Sequence, residues 1–205
     1  MSTTSTITSP GELAQWLREA AEREQAVSLL QIDLDDFAII NTEAGREVGD
    51  RVIEAAWSVV RGAADPEGWS CARIGGDEFA VVAPALSLEH AFLRAETLRR
   101  ELDEALAAAL PDGLRCTASI GVANLPRDAK TGDELLRKAD LALYSAKEQG
   151  GDALGLTPGD DMVLRSSYYT VAQLARLRSL AERLGKKEAV VLREALDDLL
   201  RKYDR

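Results

Sequence analysis

Two acidic residues stand where strands should end. Residues 26–33 form a compact apolar run that closes on Asp33. Two further strand-like runs, 70–74 and 78–83, are separated by Gly75-Gly76-Asp77, which is a hairpin signal. If those strands are neighbours, the carboxylates of Asp33 and Asp77 face one point. Mg²⁺ takes a few carboxylates together with backbone carbonyls and substrate phosphates. Two such ions can hold the attacking and leaving oxygens of a phosphoryl transfer. Gly75 and Gly76 leave room for a ligand to approach the backbone. Taken alone, a Gly-Gly-Asp hairpin is more often just a turn.

The elements that must position these acids follow from periodicity and punctuation. Ser9-Pro10 offers a cap and a first helical residue for a helix to about Arg23. After the strand 26–33 come helical stretches 35–44 and 46–63, broken by Gly45. A loop at 64–69 precedes the hairpin, a long helix covers 87–110, a strand 114–123, and a helix 131–149 ends at Gly150-Gly151. This order predicts an α+β fold, with helices over a partly antiparallel sheet. Residues 155–161 (GLTPGDD) read as a linker, so 1–154 form one domain and 162–205 a second. In the second, 162–169 suit a strand. Thr170 caps a helix bearing Leu174, Leu177, Leu180, Ala181 and Leu184. After Gly185 a second helix carries Val191, Leu192, Ala195, Leu196, Leu199 and Leu200 on one face.

The chain has 205 residues, 46% hydrophobic and 29% charged, with a net charge of −10. That is globular composition with enough length for one sizeable core. The charge is uneven: residues 1–159 hold 15 Lys and Arg against 27 Asp and Glu, net −12, while 160–205 hold 10 against 8, net +2. Nucleic-acid binding is therefore unexpected of the first domain and open for the second. Cys71 and Cys116 lack metal-ligand spacing and read as buried thiols of a reducing cytoplasm, and the single His90 excludes a multi-histidine metal site. No apolar run approaches the ~20 residues that span a bilayer. The first ten residues lack the basic and apolar parts of a secretory signal. A cytoplasmic protein without membrane attachment is expected.

The wider pattern is more specific. Arg73-Ile74-Gly75-Gly76-Asp77-Glu78-Phe79 contains the GGDEF signature. Asp33-Leu34-Asp35-Asp36-Phe37 with Asn41, Gly45, Gly49 and Asp50 resembles the D-x-D-x-F…N-D-x-x-G-H-x-x-G-D stretch of diguanylate cyclases. Ser119-Ile120-Gly121-Val122-Ala123 resembles their S-x-G-x-A strand, and residues 139–147 (ADLALYSAK) their A-D-x-A-L-Y-x-A-K helix. Four ordered blocks cover about residues 26–152.

The resemblance implies a cyclase/polymerase palm-like, ferredoxin-like sheet flanked by helices. It implies condensation of two GTP into cyclic di-GMP and pyrophosphate, with one GTP per protomer and two protomers face to face. Asp33 and Asp77, with the backbone carbonyl of Leu34, are the implied ligands of two Mg²⁺, Mn²⁺ being an alternative ion. Asp77 is the implied acceptor of the 3′-hydroxyl proton, and Glu78 a further carboxylate of the catalytic set. Asn41 and Asp50 match guanine readers, since an amide and a carboxylate complement guanine's N–H donors and O6 acceptor. Read alone, Asn41 is equally a helix cap and Asp50 a solvated residue. Phe37 packs as core near the nucleotide, core being its first role, Gly75 and Gly76 line the approach, and Lys147 matches a phosphate-binding lysine. Without the match Lys147 is a solvated helix residue.

Departures accompany the match. Ala38 stands where relatives usually have Lys, Gly151-Asp152 replace Arg-Asn, and Arg46 replaces a common His. Each cation lost beside a triphosphate weakens ground-state binding by ~1–3 kcal/mol. Arg73 and Arg46 are the cations left to compensate. The R-x-x-D of the family's inhibitory product site is replaced by Pro66-Glu67-Gly68-Trp69, so feedback through it is not expected. No sensory domain is expected ahead of the cyclase-like domain, so regulation is expected from the C-terminal module or from expression. The rival reading is a GTP- or cyclic-di-GMP-responsive transcription regulator with little or no turnover. A third is a synthase of another cyclic dinucleotide.

Residues 162–203 resemble ribbon-helix-helix DNA-binding proteins through the helix–Gly–helix spacing and its apolar positions. About 44 residues cannot bury a sufficient core alone, so a homodimer through this module is expected. The resemblance implies Ser166 and Tyr168 on a strand facing double-stranded DNA, and Lys186 and Lys187 holding phosphate at a helix N-terminus. A dimerisation clasp without DNA binding is the alternative.

Overall fold

The computed structural model describes residues 9–157, 169–184 and 188–203. The chain divides into two units, Met1–Gly159 and Asp160–Arg205. In the first, α1 (Pro10–Glu22) starts where the Ser9 hydroxyl accepts from the Glu12 amide, the cap expected from Ser-Pro. Then come β1 (Val27–Leu34), α2 (Phe37–Glu43), α3 (Arg46–Ala64), a 3₁₀ turn at Asp65–Glu67, β2 (Ser70–Arg73), β3 (Glu78–Pro84), α4 (Leu88–Ala109), β4 (Ala118–Leu125), α5 (Gly132–Glu148) and β5 (Leu154–Leu156).

The five strands lie in the order β2-β3-β1-β4-β5. All pairings are antiparallel except β4 with β5. β1 is central and buried along all eight residues. Its two-residue period sends Leu30, Ile32 and Leu34 to the side covered by α3 and α4, and Val27 and Leu29 to the side covered by α1 and α5. Apolar burial on both faces explains why this strand reads as a continuous run rather than an alternating one.

One boundary differs from expectation. Gly155 and Leu156 belong to β5, paired with Gly121 and Val122 of β4, and not to a linker. The Gly/Pro composition signals a turn, but Gly155 serves packing. A Cβ there would lie 1.7 Å from the Ala142 carbonyl oxygen of α5.

The second unit contains α6 (Val171–Leu184), capped where Thr170 Oγ1 accepts from the Gln173 amide, and α7 (Glu188–Tyr203). Arg178 Nε lies 3.3 Å from Glu188 Oε1, linking the two helices. Ala181 and Val191 are buried, whereas Leu174, Leu184, Leu196, Leu199 and Leu200 are 43–54% exposed. Residues 162–168 of the expected strand, and with them Ser166 and Tyr168, lie outside the described residues, as do Lys186 and Lys187. Among the described residues no helix is long and apolar enough to cross a membrane.

Candidate active site

The site gathers at the ends of β1 and β3. Asp33 is the penultimate residue of β1 and pairs with Glu78, the first residue of β3, and with Ser119 of β4. Directly opposed residues in antiparallel strands share a face, so Asp33 and Glu78 project together. The Leu34 amide donates to the Asp77 carbonyl at 3.2 Å, tying the turn to the end of β1. β1 and β3 are neighbours, as the sequence reading required, but the residue paired with Asp33 is Glu78, and Asp77 meets the end of β1 through its backbone carbonyl.

The hairpin turn is braced from within. The Ile74 amide donates to the Glu78 carbonyl at 2.9 Å. The Arg73 guanidinium donates through Nε to the carbonyls of Gly75 (3.2 Å) and Gly76 (3.1 Å). Arg73 is therefore engaged by the turn, and the expectation that it compensates for a missing phosphate contact finds no support in this geometry. A Cβ on Gly75 would fall 2.7 Å from Glu78 Oε2, so Gly75 makes room for that carboxylate. Gly76 has open space around it.

Lys147 arrives from α5. That helix lies directly on β4, because a Cβ on Gly121 would be 2.3 Å from the Leu143 nitrogen and 2.4 Å from the Ala139 oxygen. The S-x-G-x-A and A-D-x-A-L-Y-x-A-K blocks are thus the two halves of one contact. From it Lys147 Nζ reaches 2.5 Å from Asp33 Oδ1.

The electrostatics follow from this crowding. Burial pushes the Asp33 carboxyl above its ordinary range; the adjacent Lys147 ammonium opposes the rise, while Asp77 and Asp35 add to it. Glu78 is raised too, first by partial desolvation and then by Asp33 and Asp77. Such a cluster favours a cation. Among the described residues no three His, Cys, Asp or Glu side chains form a ready metal cage. The donors, the neighbouring carboxylates of Asp33, Asp77 and Glu78, fit an oxygen-preferring ion that draws the rest of its shell from water and phosphate, as Mg²⁺ does.

Asp35, the second acid of the D-x-D block, turns away to a structural role. Its carboxylate accepts from Thr117 Oγ1 (2.7 Å), Ser119 Oγ (2.8 Å) and the Asp152 amide (2.8 Å). It fastens the end of β1 to β4 and to the turn after α5. Gly151, at φ +74°, is pressed against it: a Cβ there would lie 2.9 Å from Asp35 Cγ. Asp152 in turn pairs with Arg99 and Arg115. Sequence reasoning missed this fastening. The Ser and Thr two residues apart at 117 and 119 were the available signal.

The expected guanine readers sit on α2 and α3. Asn41 is half-buried and Asp50 exposed. A Cβ on Gly49 would lie 2.1 Å from Asn41 Oδ1 and 3.3 Å from Phe37 Cζ. Both side chains therefore rest on α3 one residue before Asp50, and Phe37 is also packed against the core. Ala38 is exposed on α2. At Pro66-Glu67-Gly68-Trp69, Glu67 pairs with Arg94, whose guanidinium carbon lies 5.4 Å from the centre of the Trp69 ring.

With this geometry in view, comparison with known proteins is direct. The profile of the family described as diguanylate cyclase, GGDEF domain, matches residues 10–153. The chain belongs to the GGDEF-domain family. Diguanylate cyclase A of Treponema denticola is 30% identical over 143 residues, 69% of this chain and 38% of that protein. Diguanylate cyclase TpbB of Pseudomonas aeruginosa is 35% identical over 140 residues, 68% of this chain and 32% of that protein. The chain thus matches only about a third of the length of these relatives. The active GGEEF domain of a diguanylate cyclase from Vibrio cholerae superposes with a TM-score of 0.67 at 25% identity, covering 76% of this chain and all of that one. The GGDEF domain of DgcB from Caulobacter crescentus, solved in complex with c-di-GMP, gives 0.65 at 26% identity, over 77% of this chain and 95% of that one. The GGDEF domain here is accordingly an α+β palm-like sheet with helices on both faces.

Proposed function

We propose that this protein is a diguanylate cyclase that condenses two GTP into cyclic di-GMP with release of pyrophosphate. The observation that carries the reading is the pairing of Asp33 with Glu78, beside Asp77 and within reach of Lys147. Asp33, Asp77 and the Leu34 carbonyl would hold two Mg²⁺, or Mn²⁺, with Glu78 adding charge. When bound, such ions supply charge neutralisation at the reacting phosphate. Asn41 and Asp50 read guanine, Phe37 supports them, and the open backbone at Gly76 admits the phosphates, the space at Gly75 being taken by Glu78. Lys147 binds phosphate oxygens. Asp77 accepts the proton of the 3′-hydroxyl as it attacks the α-phosphate of the second GTP. Catalysis is then chiefly positioning in a preorganised field.

Each domain binds one GTP, so two must meet. The exposed leucines of α6 and α7 support a homodimer through residues 162–205, in a ribbon-helix-helix arrangement that also suits double-stranded DNA through Ser166, Tyr168, Lys186 and Lys187. A linker of a few residues would raise the effective concentration of partner sites to ~mM. A GTP substrate and two free buried thiols, Cys71 and Cys116, support a cytoplasmic setting.

Ala38, Gly151 and the engagement of Arg73 favour a second reading, a GTP- or cyclic-di-GMP-responsive regulator with weak or no turnover. One experiment separates the two. Purified protein is incubated with Mg²⁺ and GTP, or with GTP and ATP together, and products are identified by mass spectrometry beside Asp77→Ala. Cyclic di-GMP from the wild type alone is expected. Tight GTP binding without any cyclic product over hours rejects the enzyme. A mixed product indicates another cyclic dinucleotide synthase. Truncation after Gly159 is expected to lower activity at micromolar protein, and gel shifts at stated salt test DNA.

A further inference from the structure

The contact between Lys147 and Asp33 joins two groups that the proposed function assigns to different parts of the ligand. Lys147 Nζ lies 2.5 Å from Asp33 Oδ1, while the Asp33 side chain is 11% exposed and that of Lys147 40%. The lysine backbone is fixed, because α5 is seated on Gly121. Its head is not fixed, since an ammonium on a four-carbon stem is a movable point charge. Asp33, by contrast, is held in the central strand, next to Asp77 and Glu78, in a setting where burial already disfavours a lone negative charge. An unpaired carboxylate there is expensive, and Lys147 supplies the missing positive charge. A carboxylate oxygen already in contact with an ammonium is a poor ligand for a divalent ion, because the two cations would sit side by side.

We infer that Lys147 is an internal counter-ion that occupies Asp33 in the empty site and is released from it only when a triphosphate arrives to receive its ammonium. Metal alone is thereby disfavoured, and metal and nucleotide load together. The inference rests on the proposed roles of Asp33 and Lys147 and adds a coupling between them. It makes removal of one charge act in opposite directions on two ligands. Without the lysine, bare metal meets an unopposed carboxylate, while nucleotide loses a phosphate contact.

The test uses the full chain, stripped of metal, and needs no turnover. Mn²⁺ alone is titrated while the electron paramagnetic resonance signal of the free ion is followed, for wild type, Lys147→Met, Lys147→Gln and Lys147→Arg. A non-hydrolysable GTP analogue with Mg²⁺ is titrated in parallel by calorimetry, and circular dichroism confirms that each variant is folded. Met and Gln variants are expected to bind Mn²⁺ alone at least about tenfold more tightly than wild type, because a close ion pair no longer competes for Asp33. They should bind the analogue more weakly, and the Arg variant should resemble wild type toward bare metal. Adding Asp33→Asn to Lys147→Gln should abolish the gain. Unchanged or weaker Mn²⁺ binding in both neutral variants overturns the inference. Failure of the wild type to bind the analogue at all overturns the nucleotide reading instead, and the two failures are separately visible.

Discussion

The seating of α5 on β4 lends itself to a sharp perturbation. In Gly121→Ala the new Cβ would stand 2.3 Å from the Leu143 nitrogen and 2.4 Å from the Ala139 oxygen. Both are backbone atoms, so no rotamer change relieves the clash. Ordinary contact begins near about 3.4 Å, so the helix must retreat by about 1 Å, and interiors packed at crystal density transmit such shifts. Overpacking of this kind costs about 1–3 kcal/mol, and rigid opposing atoms favour the upper end. For a domain of this size each kcal/mol moves the melting temperature by about 2–4 °C, giving a fall of about 6–12 °C. Lys147 lies one turn beyond Leu143 on the same helix, so its contact with Asp33 stretches too. Displacement of about 1 Å in a reacting assembly lowers rate by up to about a hundredfold. Differential scanning calorimetry gives the first quantity, and cyclic di-GMP formation well below the melting temperature gives the second. A variant melting within about 2 °C of wild type would refute the claim that this glycine seats the helix.

Gly76→Ala supplies the contrast: its Cβ has open space, so melting should stay within about 1 °C of wild type while KM for GTP rises, read by calorimetry and initial rates. Metal-free Glu78→Gln should melt above wild type at neutral pH, with the gap closing on acidification through the carboxylate range. The sign follows because the folded Glu78 carboxyl is raised, so its stabilising neutral form is lost as pH rises through that value. Burial pushes the Cys71 thiol to about 11 and that of Cys116 to about 12, so iodoacetamide at pH 8 should label neither in the folded protein and both in urea, read by mass spectrometry. Ala38→Lys, on an exposed position of α2, should tighten binding of a GTP analogue about tenfold in calorimetry; unchanged affinity would mean that the missing lysine is not what weakens the site.

How much of this was legible in the sequence depended on whether a residue's neighbours were local. The meeting of Asp33 with the Gly-Gly-Asp hairpin was legible because each marks the end of a strand-like run, and antiparallel pairing brings those ends together, though the residue opposite Asp33 is Glu78. Gly121 and residues 139–147 were legible as motifs, but their mutual contact was not, because a close approach between a strand and a helix leaves no period of its own. Gly155 was misread for a related reason: glycine required by packing looks the same in sequence as glycine required by a turn. Asp35 and Arg73 show the limit most clearly. Each has a charge suited to ligand chemistry, and each is engaged by protein groups, Asp35 by Thr117, Ser119 and Asp152, Arg73 by the carbonyls of its own turn. Charge type announces chemistry, but only the partners decide whether the charge is available.

Availability also sets what the site can be asked to do. Arg73 is held by the hairpin, and Arg99 and Arg115 are paired with Asp152 behind Asp35. The motif resemblance leads to the expectation of a lysine at the position of Ala38 and an arginine at that of Gly151. Here the first is a methyl group, and the second is a glycine at positive φ against Asp35, where a side chain would be both strained and crowded. The acids of the site are therefore countered mainly by Lys147, which is itself bound to one of them. A nucleotide entering this field brings more negative charge, and its binding should depend on accompanying divalent cations more steeply than in a relative that supplies those two extra positive side chains. On the proposed coupling, the same scarcity would give Lys147 two partners in succession, the buried Asp33 first and phosphate afterwards.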